Sequence, residues 1–475
     1  MKNIGIDSIS FYTPEIFLPI KTLAKERGIS YDKLNKGLGL ERMSVADINE
    51  DTATFCANAL IKLFIDNNLN PKEIGRIYLG TESALDSSKP TSTYAVEVLE
   101  EKLKNKFGDR SLKNCDVLDM TFACIGAVDA LHNSLDWVRC GNKRKAIVIA
   151  SDISKYELNS TGEYTQGAGA VALLITENPR IMVINDLWGI ATKSESDFFK
   201  PRRSFKKEKL LDELINSLEI DKDRKSISKL LSNSEFWKDS NNLVEVYKEE
   251  PVFDGQYSNI CYTNRMIEAL DHFKYQKNTN FLMDWERIIF HLPYAFHGRR
   301  MLFKTWLNWI EENNLLSKLE DELNESKQDS KDWYKKASKS KIYRQFIINK
   351  ISCGEKASTQ IGNMYTASIF MSLLSMLSNS YLNNIKLDQK QIGFIAYGSG
   401  SKAKVFEGVI QKNWQTKISQ IKLFKYLNSR KEISIENYEM IHKNELKKSI
   451  TNLNTRLSHK ETGGNDLGYR RYKLN

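Results

Sequence analysis

Cysteine is scarce, long apolar runs are missing, and nothing at the start resembles a leader; each shortage closes off a class of protein. The 475 residues include six cysteines, none in a CxxC pair or otherwise closely spaced. Neither a disulfide framework nor a zinc ribbon is therefore expected. Cys56, Cys115, Cys140, Cys261 and Cys353 read as reduced thiols, several of them packed as small hydrophobes. No stretch reaches the roughly 18 uninterrupted apolar residues that span a bilayer. The nearest, ASIFMSLLSMLSNSYL from Ala367, is studded with serine and reads as a buried helix. The first residues, MKNIGIDSIS, lack the apolar block of a secretory signal, so the expected location is cytoplasmic, with no membrane partner. The net charge of +10 is spread along the chain, and no nucleic-acid-binding module stands out. The basic patches FFKPRRSFKKEK from Phe198 and YRRYK from Tyr469 read as solvated surface, and no nucleic-acid partner is expected. Metal-ligand clusters and phosphate-cradling glycine loops are also missing, so neither a metal nor a redox cofactor is expected.

What is present is a large soluble chain, 41% hydrophobic and 27% charged, long enough for two or three domain-sized units. DTATFCANALIKLFIDNNL from Asp51 has helical spacing and an acidic start. Short strand-like runs follow: IGRIYLGTES, then VLDM from Val117, KAIVIASD from Lys145 and GAGAVALLI from Gly167. Such alternation predicts a layered α/β fold with a mostly buried sheet. Residues 204 to about 250, rich in Lys, Asp, Ser and Asn, read as an excursion from the core. The alternation returns from Tyr257 through RIIFHLPY, a charged helical region, the Ala367 helix and IGFIAYGSG. The expected division is residues 1–178, a connecting segment 179–256, a second half 257–425, and a basic extension 426–475. ETGGNDLG from Glu461 predicts a loop, with a loosely held tail beyond it.

The predicted strands deliver chemistry at their ends: Glu82, Cys124, Asp152, His291 and Ser399. Ligand sites of α/β proteins collect at such ends. Cys124 sits in VLDMTFACIGAVDAL, where a strand hands over to a helix with Val128, Leu131 and Leu135 on one stripe. A thiol at a helix start feels the positive end of the dipole, which favours thiolate. Small neighbours Ala123, Gly126 and Ala127 leave room for a substrate to approach.

Ordered motifs extend this reading to a family. GTESALDSSKP from Gly80, FACIGAVDAL from Phe122 and STGEYTQGAGAVALLI from Ser160 are followed by FFKP from Phe198 and VFDGQYSNICY from Val252. FHLPY from Phe290, IGNMYTAS from Ile361 and YGSGS from Tyr397 complete the series. In this order, up to about residue 440, the chain resembles the 3-hydroxy-3-methylglutaryl-CoA synthases. The resemblance implies a thiolase-like fold of two similar α/β halves, stacked as a five-layered αβαβα core, and a homodimer. It implies condensation of acetyl-CoA with acetoacetyl-CoA and water, the CoA thioesters being substrates and no cofactor being needed, for mevalonate and isoprenoid synthesis. By the same resemblance Cys124 is the acetylated nucleophile, Glu82 the base that deprotonates the acetyl methyl, and His291 the group that anchors acetoacetyl-CoA. Lys33, Tyr156, Thr165, Arg300, Asn363, Ser399 and Tyr438 match substrate- or CoA-contacting positions. The N–H of Cys124 and one from the YGSG turn would form an oxyanion hole.

The chain departs from the family pattern at Phe122 and Ile125, where Asn or Glu and Tyr are usual, which implies a more apolar acyl pocket. Phe296 stands where many relatives have lysine, leaving Arg299 or Arg300 to grip CoA. Three other readings compete: a β-branching synthase acting on an acyl-carrier protein, a plain thiolase or ketoacyl synthase, and a silent thiolase-fold binding protein. YGSG and FHLPY are not the signatures of the second, and keeping Glu82, Cys124 and His291 together argues against the third.

Overall fold

Alternate residues of KAIVIASD face two different cores, which is how a sheet behaves when helices cover both its faces. Ile147 and Ile149 join one apolar cluster, while Ala146, Val148 and Ala150 join another. The structure, a computed structural model, describes residues 2–218, 224–231, 234, 237, 242–451, 455–459 and 470–474.

Ten strands form the main sheet: β1 (Ile4–Tyr12), β2 (Ile74–Gly80), β3 (Asp116–Met120), β4 (Lys145–Ser154), β5 (Gly167–Glu177), β6 (Met182–Ile184), β7 (Gly189–Thr192), β8 (Arg287–Phe290), β9 (Gln391–Gly398) and β10 (Lys402–Ile410). The first half runs β1-β5-β4-β2-β3, antiparallel across β1/β5 and β5/β4, then parallel across β4/β2 and β2/β3. The second half repeats the scheme: β6 and β7 pair antiparallel with β10, β10 with β9 likewise, and β9 runs parallel to β8. Strand β8 is thus the counterpart of β2, and β9 of β4, while β3 has no counterpart among the described residues. Three-residue β6 pairs with both β1 and β10 and joins the halves.

Five helices define the layers: α1 (Thr52–Asp66), α2 (Thr91–Phe107), α3 (Gly126–Arg139), α4 (Gly255–Gln276) and α5 (Ser368–Leu382). Helices α1 and α2 cover the outer face of the first half-sheet through Phe55, Leu60, Leu63, Ala95 and Leu99. In the middle, Val128 and Leu131 of α3 share one core with Phe370, Leu373 and Leu377 of α5 and with Val148, Ile289 and Phe394 of the two half-sheets. Helix α4 closes the far side with Met266, Leu270 and Phe273 against Ile288, Ile395 and Val405. The order is helix, sheet, helix, sheet, helix: the five-layered, thiolase-like arrangement that the resemblance implies.

Local chemistry fixes these elements. Asp51 caps α1 by accepting from Thr54 N at 2.9 Å while Thr54 Oγ1 accepts from Asp51 N at 2.8 Å, a reciprocal box. The serines of α5 are buried; Ser375 Oγ donates to Cys353 O at 2.8 Å and accepts from Ala357 N at 3.1 Å, so this apolar helix is a core element. Among the described residues no helix is long and apolar enough to cross a membrane.

Residues 198–253 form a compact unit of their own. Within it Phe198–Phe199 pairs with Val252–Phe253, and Arg203–Lys206 with Leu243–Val246, beside helices Lys207–Ser217 and Arg224–Leu231. The tail differs from expectation. Thr455–His459 pairs with Arg470–Leu474, and Tyr472 donates to Asp51 Oδ2 at 2.8 Å while its ring lies 5.5 Å from that of Tyr94. Alternating Tyr472 and Leu474, partly buried against the first-half core, supply the anchor that a basic composition conceals. The loop expected at ETGGNDLG lies outside the described residues.

Candidate active site

Strand β3 ends at Met120, and the chain must turn sharply to enter α3. It does so at Ala123, whose φ of 39° lies in the left-handed region that a Cβ disfavours. The turn presents Cys124 two residues before α3, largely buried at 9% exposure. Glycine is required around it for close packing: a Cβ on Gly80 would lie 2.1 Å from Ala127 N, and one on Gly398 2.8 Å from Phe122 O. Ile125, one of the two expected departures, is fully buried, with its Cγ2 only 2.7 Å from that Gly398 Cβ position. Ile125 thus packs the nucleophile turn against the end of β9, while the Phe122 ring lies under the Lys402 ammonium at 4.0 Å.

Glu82 follows β2 and is half-buried. The Cys124 thiol donates to Glu82 Oε1 at 2.9 Å. Glu82 is placed by Asp152, at the end of β4. Asp152 Oδ1 accepts from Glu82 N at 2.9 Å and Thr81 Oγ1 at 2.8 Å; Oδ2 accepts from Thr366 N at 3.0 Å and from the Thr366 hydroxyl. Burial pushes the Asp152 carboxyl above the usual range, and these donors oppose the shift.

The Thr366 turn also carries Tyr365, a residue the sequence reading missed. Its φ of 41° is again left-handed, held by Tyr365 N donating to Asn363 Oδ1 at 2.8 Å. Its phenol lies beside that of Tyr156, and both phenols are raised by burial first, with Cys124 and Glu82 adding to the shift. His291, just after β8, lies beside the Tyr365 backbone, and its buried Nδ1 has no hydrogen-bond partner among the described residues. Burial pushes His291 down to about 3, so its ring is neutral at physiological pH. The structure therefore brings Glu82, Cys124 and His291 together around Tyr365. Tyr365 was legible only as one letter of GNMY; the missing signal was the turn that brings it back to Asp152.

Among the remaining sequence-predicted residues, Tyr156 is buried beside Cys124, and its N–H donates to Gln166 Oε1 at 2.6 Å. Thr165 is half-buried and a hydrogen-bond partner of Tyr156; its carbonyl accepts from Asn363 N at 2.9 Å. Asn363 is buried, its Oδ1 occupied by Tyr365 N and by Ser368 Oγ at 3.2 Å. Ser399 is half-buried at the end of β9. Tyr438, on helix Ile435–His442, accepts from Gln166 Nε2 at 2.7 Å and donates to Glu163 Oε1 at 3.1 Å. It stands behind Tyr156, with Gln166 between them. In the YGSG turn, Gly400 N donates to buried Asp197 Oδ1 at 2.8 Å, and Tyr397 OH to Oδ2 at 2.8 Å. That amide is spoken for and is not an oxyanion donor.

Lys33 is exposed on helix Tyr31–Leu38. The chain following that helix touches the loop after His291: Phe296 N donates to Leu38 O at 3.1 Å, and a Cβ on Gly39 would lie 2.6 Å from the Phe296 ring. Phe296 is a packing residue here. Arg299 stacks on it at 3.8 Å and grips buried Glu355 with both arms, Nε to Oε1 at 2.8 Å. Arg300 is exposed, 5.9 Å over the Tyr294 ring. Of the two arginines, it is Arg300 whose charge faces solvent. Among the described residues no three His, Cys, Asp or Glu side chains converge as a metal site.

A buried thiol against a carboxylate, with a neutral imidazole nearby on a five-layered scaffold, defines a thiolase-like condensing enzyme. Comparison with known proteins narrows the class. The family models for the N-terminal and C-terminal regions of hydroxymethylglutaryl-coenzyme A synthase match residues 1–180 and 232–463. The Haloferax volcanii hydroxymethylglutaryl-CoA synthase is 30% identical over 457 residues, covering 93% of this chain and 92% of that protein. The Enterococcus faecalis enzyme of the same name is 28% identical, covering 92% and 91%. A solved structure of MvaS in complex with 3-hydroxy-3-methylglutaryl coenzyme A shares the fold at a TM-score of 0.75, with 24% identity and coverage of 100% and 99%. The chain belongs to the hydroxymethylglutaryl-CoA synthase family.

Proposed function

We propose that this enzyme joins acetyl-CoA to acetoacetyl-CoA through acetylated Cys124, with Glu82 as base and His291 at the ketone. The observation that supports it is the 2.9 Å thiol–carboxylate contact, with His291 beside the same turn as both. Cys124 sulfur attacks the acetyl thioester and CoA leaves as the thiol. Glu82 removes a methyl proton from the acetyl-enzyme, and the carbon so activated bonds to the ketone carbon of acetoacetyl-CoA. The ketone oxygen, hydrogen-bonded by the neutral His291 ring, gains a proton as the C=O double bond becomes an alcohol, balancing the one that Glu82 took from the methyl and gives up. Water then cleaves the cysteine thioester, leaving the new carboxylate and restoring the thiol. No redox or metal step enters this balance.

CoA binding rests on similarity to a crystal structure of an HMG-CoA synthase complexed with CoA, 25% identical over 98% of this chain with a TM-score of 0.67. Lys33 and Arg300 are assigned to CoA phosphates, and Tyr156, Thr165, Asn363 and Ser399 to the acyl region. Tyr438 supports Tyr156 from behind. The working form is a homodimer: β3 ends one side of the sheet with no second partner among the described residues, its Leu118 is 41% exposed, and such edges are normally covered. Six free cysteines accord with a reducing, cytoplasmic setting. Labelled acetyl-CoA should yield a stable acetyl-protein that is absent in Cys124→Ser and is discharged as condensed product on adding acetoacetyl-CoA. A serine variant that accumulates label on the same residue range would remove Cys124 from this role.

A further inference from the structure

His297 is buried at 3% exposure, yet among the described residues neither its Nδ1 nor its Nε2 has a hydrogen-bond partner. A neutral imidazole carries one donor and one acceptor, and leaving both unpaired in a protein interior is costly. The ring cannot swing out to water. Its backbone N–H donates to Tyr294 O at 3.0 Å, and the next residue, Gly298, is pressed against Phe290, whose ring lies 2.6 Å from the position of a Cβ there. Two aromatic rings hold it edge-on, Tyr262 at 4.7 Å and Tyr294 at 4.8 Å. Tyr262 also donates to the His291 carbonyl at 3.2 Å and stacks on the His291 ring at 6.5 Å.

His297 thus shares Tyr262 with His291 and Tyr294 with Arg300, the cation proposed to meet CoA. Burial pushes its ring well below the ordinary imidazole value, and the neighbouring His291 and Arg300 add to that shift. Tyr262, packed on His297, is raised by burial and then by Cys124, so this pocket wall also borders the nucleophile.

We infer that His297 is a substrate-binding residue for the second condensation partner, its ring hydrogen-bonding a carbonyl of the acetoacetyl thioester beside His291. This rests on the proposed condensation and names a selectivity device within it. The test measures binding of acetoacetyl-CoA, acetyl-CoA and CoA to the full chain by titration calorimetry, with melting temperatures alongside. His297→Leu should weaken acetoacetyl-CoA about tenfold, the value of one hydrogen bond near 1.4 kcal/mol. Acetyl-CoA and CoA should stay within twofold, and the variant should melt at or above the wild-type temperature because an unpaired polar group is gone. His297→Asn or His297→Gln should recover part of the affinity, since each amide can overlay one ring nitrogen. Unchanged acetoacetyl-CoA affinity in His297→Leu, or equal weakening of all three ligands, overturns the inference while leaving the condensation intact. Wild-type protein that binds acetyl-CoA but not acetoacetyl-CoA overturns both.

Discussion

Replacing Asp152 by asparagine keeps the side chain's shape and removes its ability to accept on both sides. Its carboxylate holds two backbone amides, Glu82 N at 2.9 Å through Oδ1 and Thr366 N at 3.0 Å through Oδ2. An asparagine amide has one oxygen, so whichever way it is turned one buried N–H faces another N–H. The Thr366 hydroxyl has a second acceptor in Gly80 O at 2.9 Å and is not stranded. One orphaned amide costs about 2 kcal/mol, and the relief of a buried charge offsets part of it. Spread over a chain of this size, that lowers the melting temperature by about 2 °C at most. Activity should suffer far more, because the same bonds set Glu82 against Cys124 and tie that pair to the turn bearing Tyr365. A displacement of about 1 Å there costs about a hundredfold. The assay is single-turnover condensation from pre-acetylated enzyme, run beside thermal melting. Asp152→Asn with wild-type condensation would refute the positioning argument; a loss of many degrees would show the residue to be mainly structural.

Other outcomes follow from the same geometry. Glu82→Ala removes the acceptor of the thiol hydrogen bond but not the nucleophile, so labelled acetyl-enzyme should still form, more slowly, while condensation falls at least a hundredfold. Arg300→Ala should raise the KM for both CoA thioesters about tenfold with little change in melting. Arg299→Ala should do the reverse, because it strands buried Glu355 and costs about 3 kcal/mol; similar KM effects from the two would refute the division of labour. Burial holds His291 near 3 when folded, against about 6.5 unfolded. The folded state thus binds fewer protons across that window, and its contribution is complete above about pH 6.5 and lost as pH falls toward 3. His291→Asn should flatten the acid limb of stability measured by urea unfolding, and an unchanged limb would contradict the neutral-ring assignment. Leu118→Lys should shift the protein to monomer in sedimentation equilibrium.

The layered fold was legible because its signals are local. The strands of KAIVIASD and IGFIAYGSG, the capped helix from Asp51 and the serine-studded helix after Ala367 each declare themselves through period, cap or composition. The nucleophile turn was legible for the same reason, with small residues bracketing a cysteine between strand and helix. What sequence could not reveal was pairing at a distance. Asp152, which holds Glu82, also reaches Thr366 across 214 residues of chain, and nothing in either motif announces the other. Phe296 read as a lost cation; the structure shows it filling the space above Gly39 and carrying Arg299 on its face. The tail misled in the same way, since its charge was visible and the Tyr472–Asp51 bond was not.

The topology gives a reason for the division of labour among the three central residues. Glu82 follows β2 and His291 follows β8, and these strands hold equivalent places in the two half-sheets, each parallel to its inner neighbour. A duplicated layer thus delivers a carboxylate from one side and an imidazole from the other. Cys124 follows β3, the strand with no equivalent, so the nucleophile comes from the part of the sheet that breaks the repeat. That strand also ends one side of the sheet, with no second partner among the described residues. If a second copy pairs along it, the residues just before the nucleophile are held from both sides, and the left-handed turn at Ala123 is braced where it stores strain. Monomeric Leu118→Lys should then lose acetylation rate as well as its partner, whereas a monomer that acetylates at the wild-type rate would confine the dimer's role to stability.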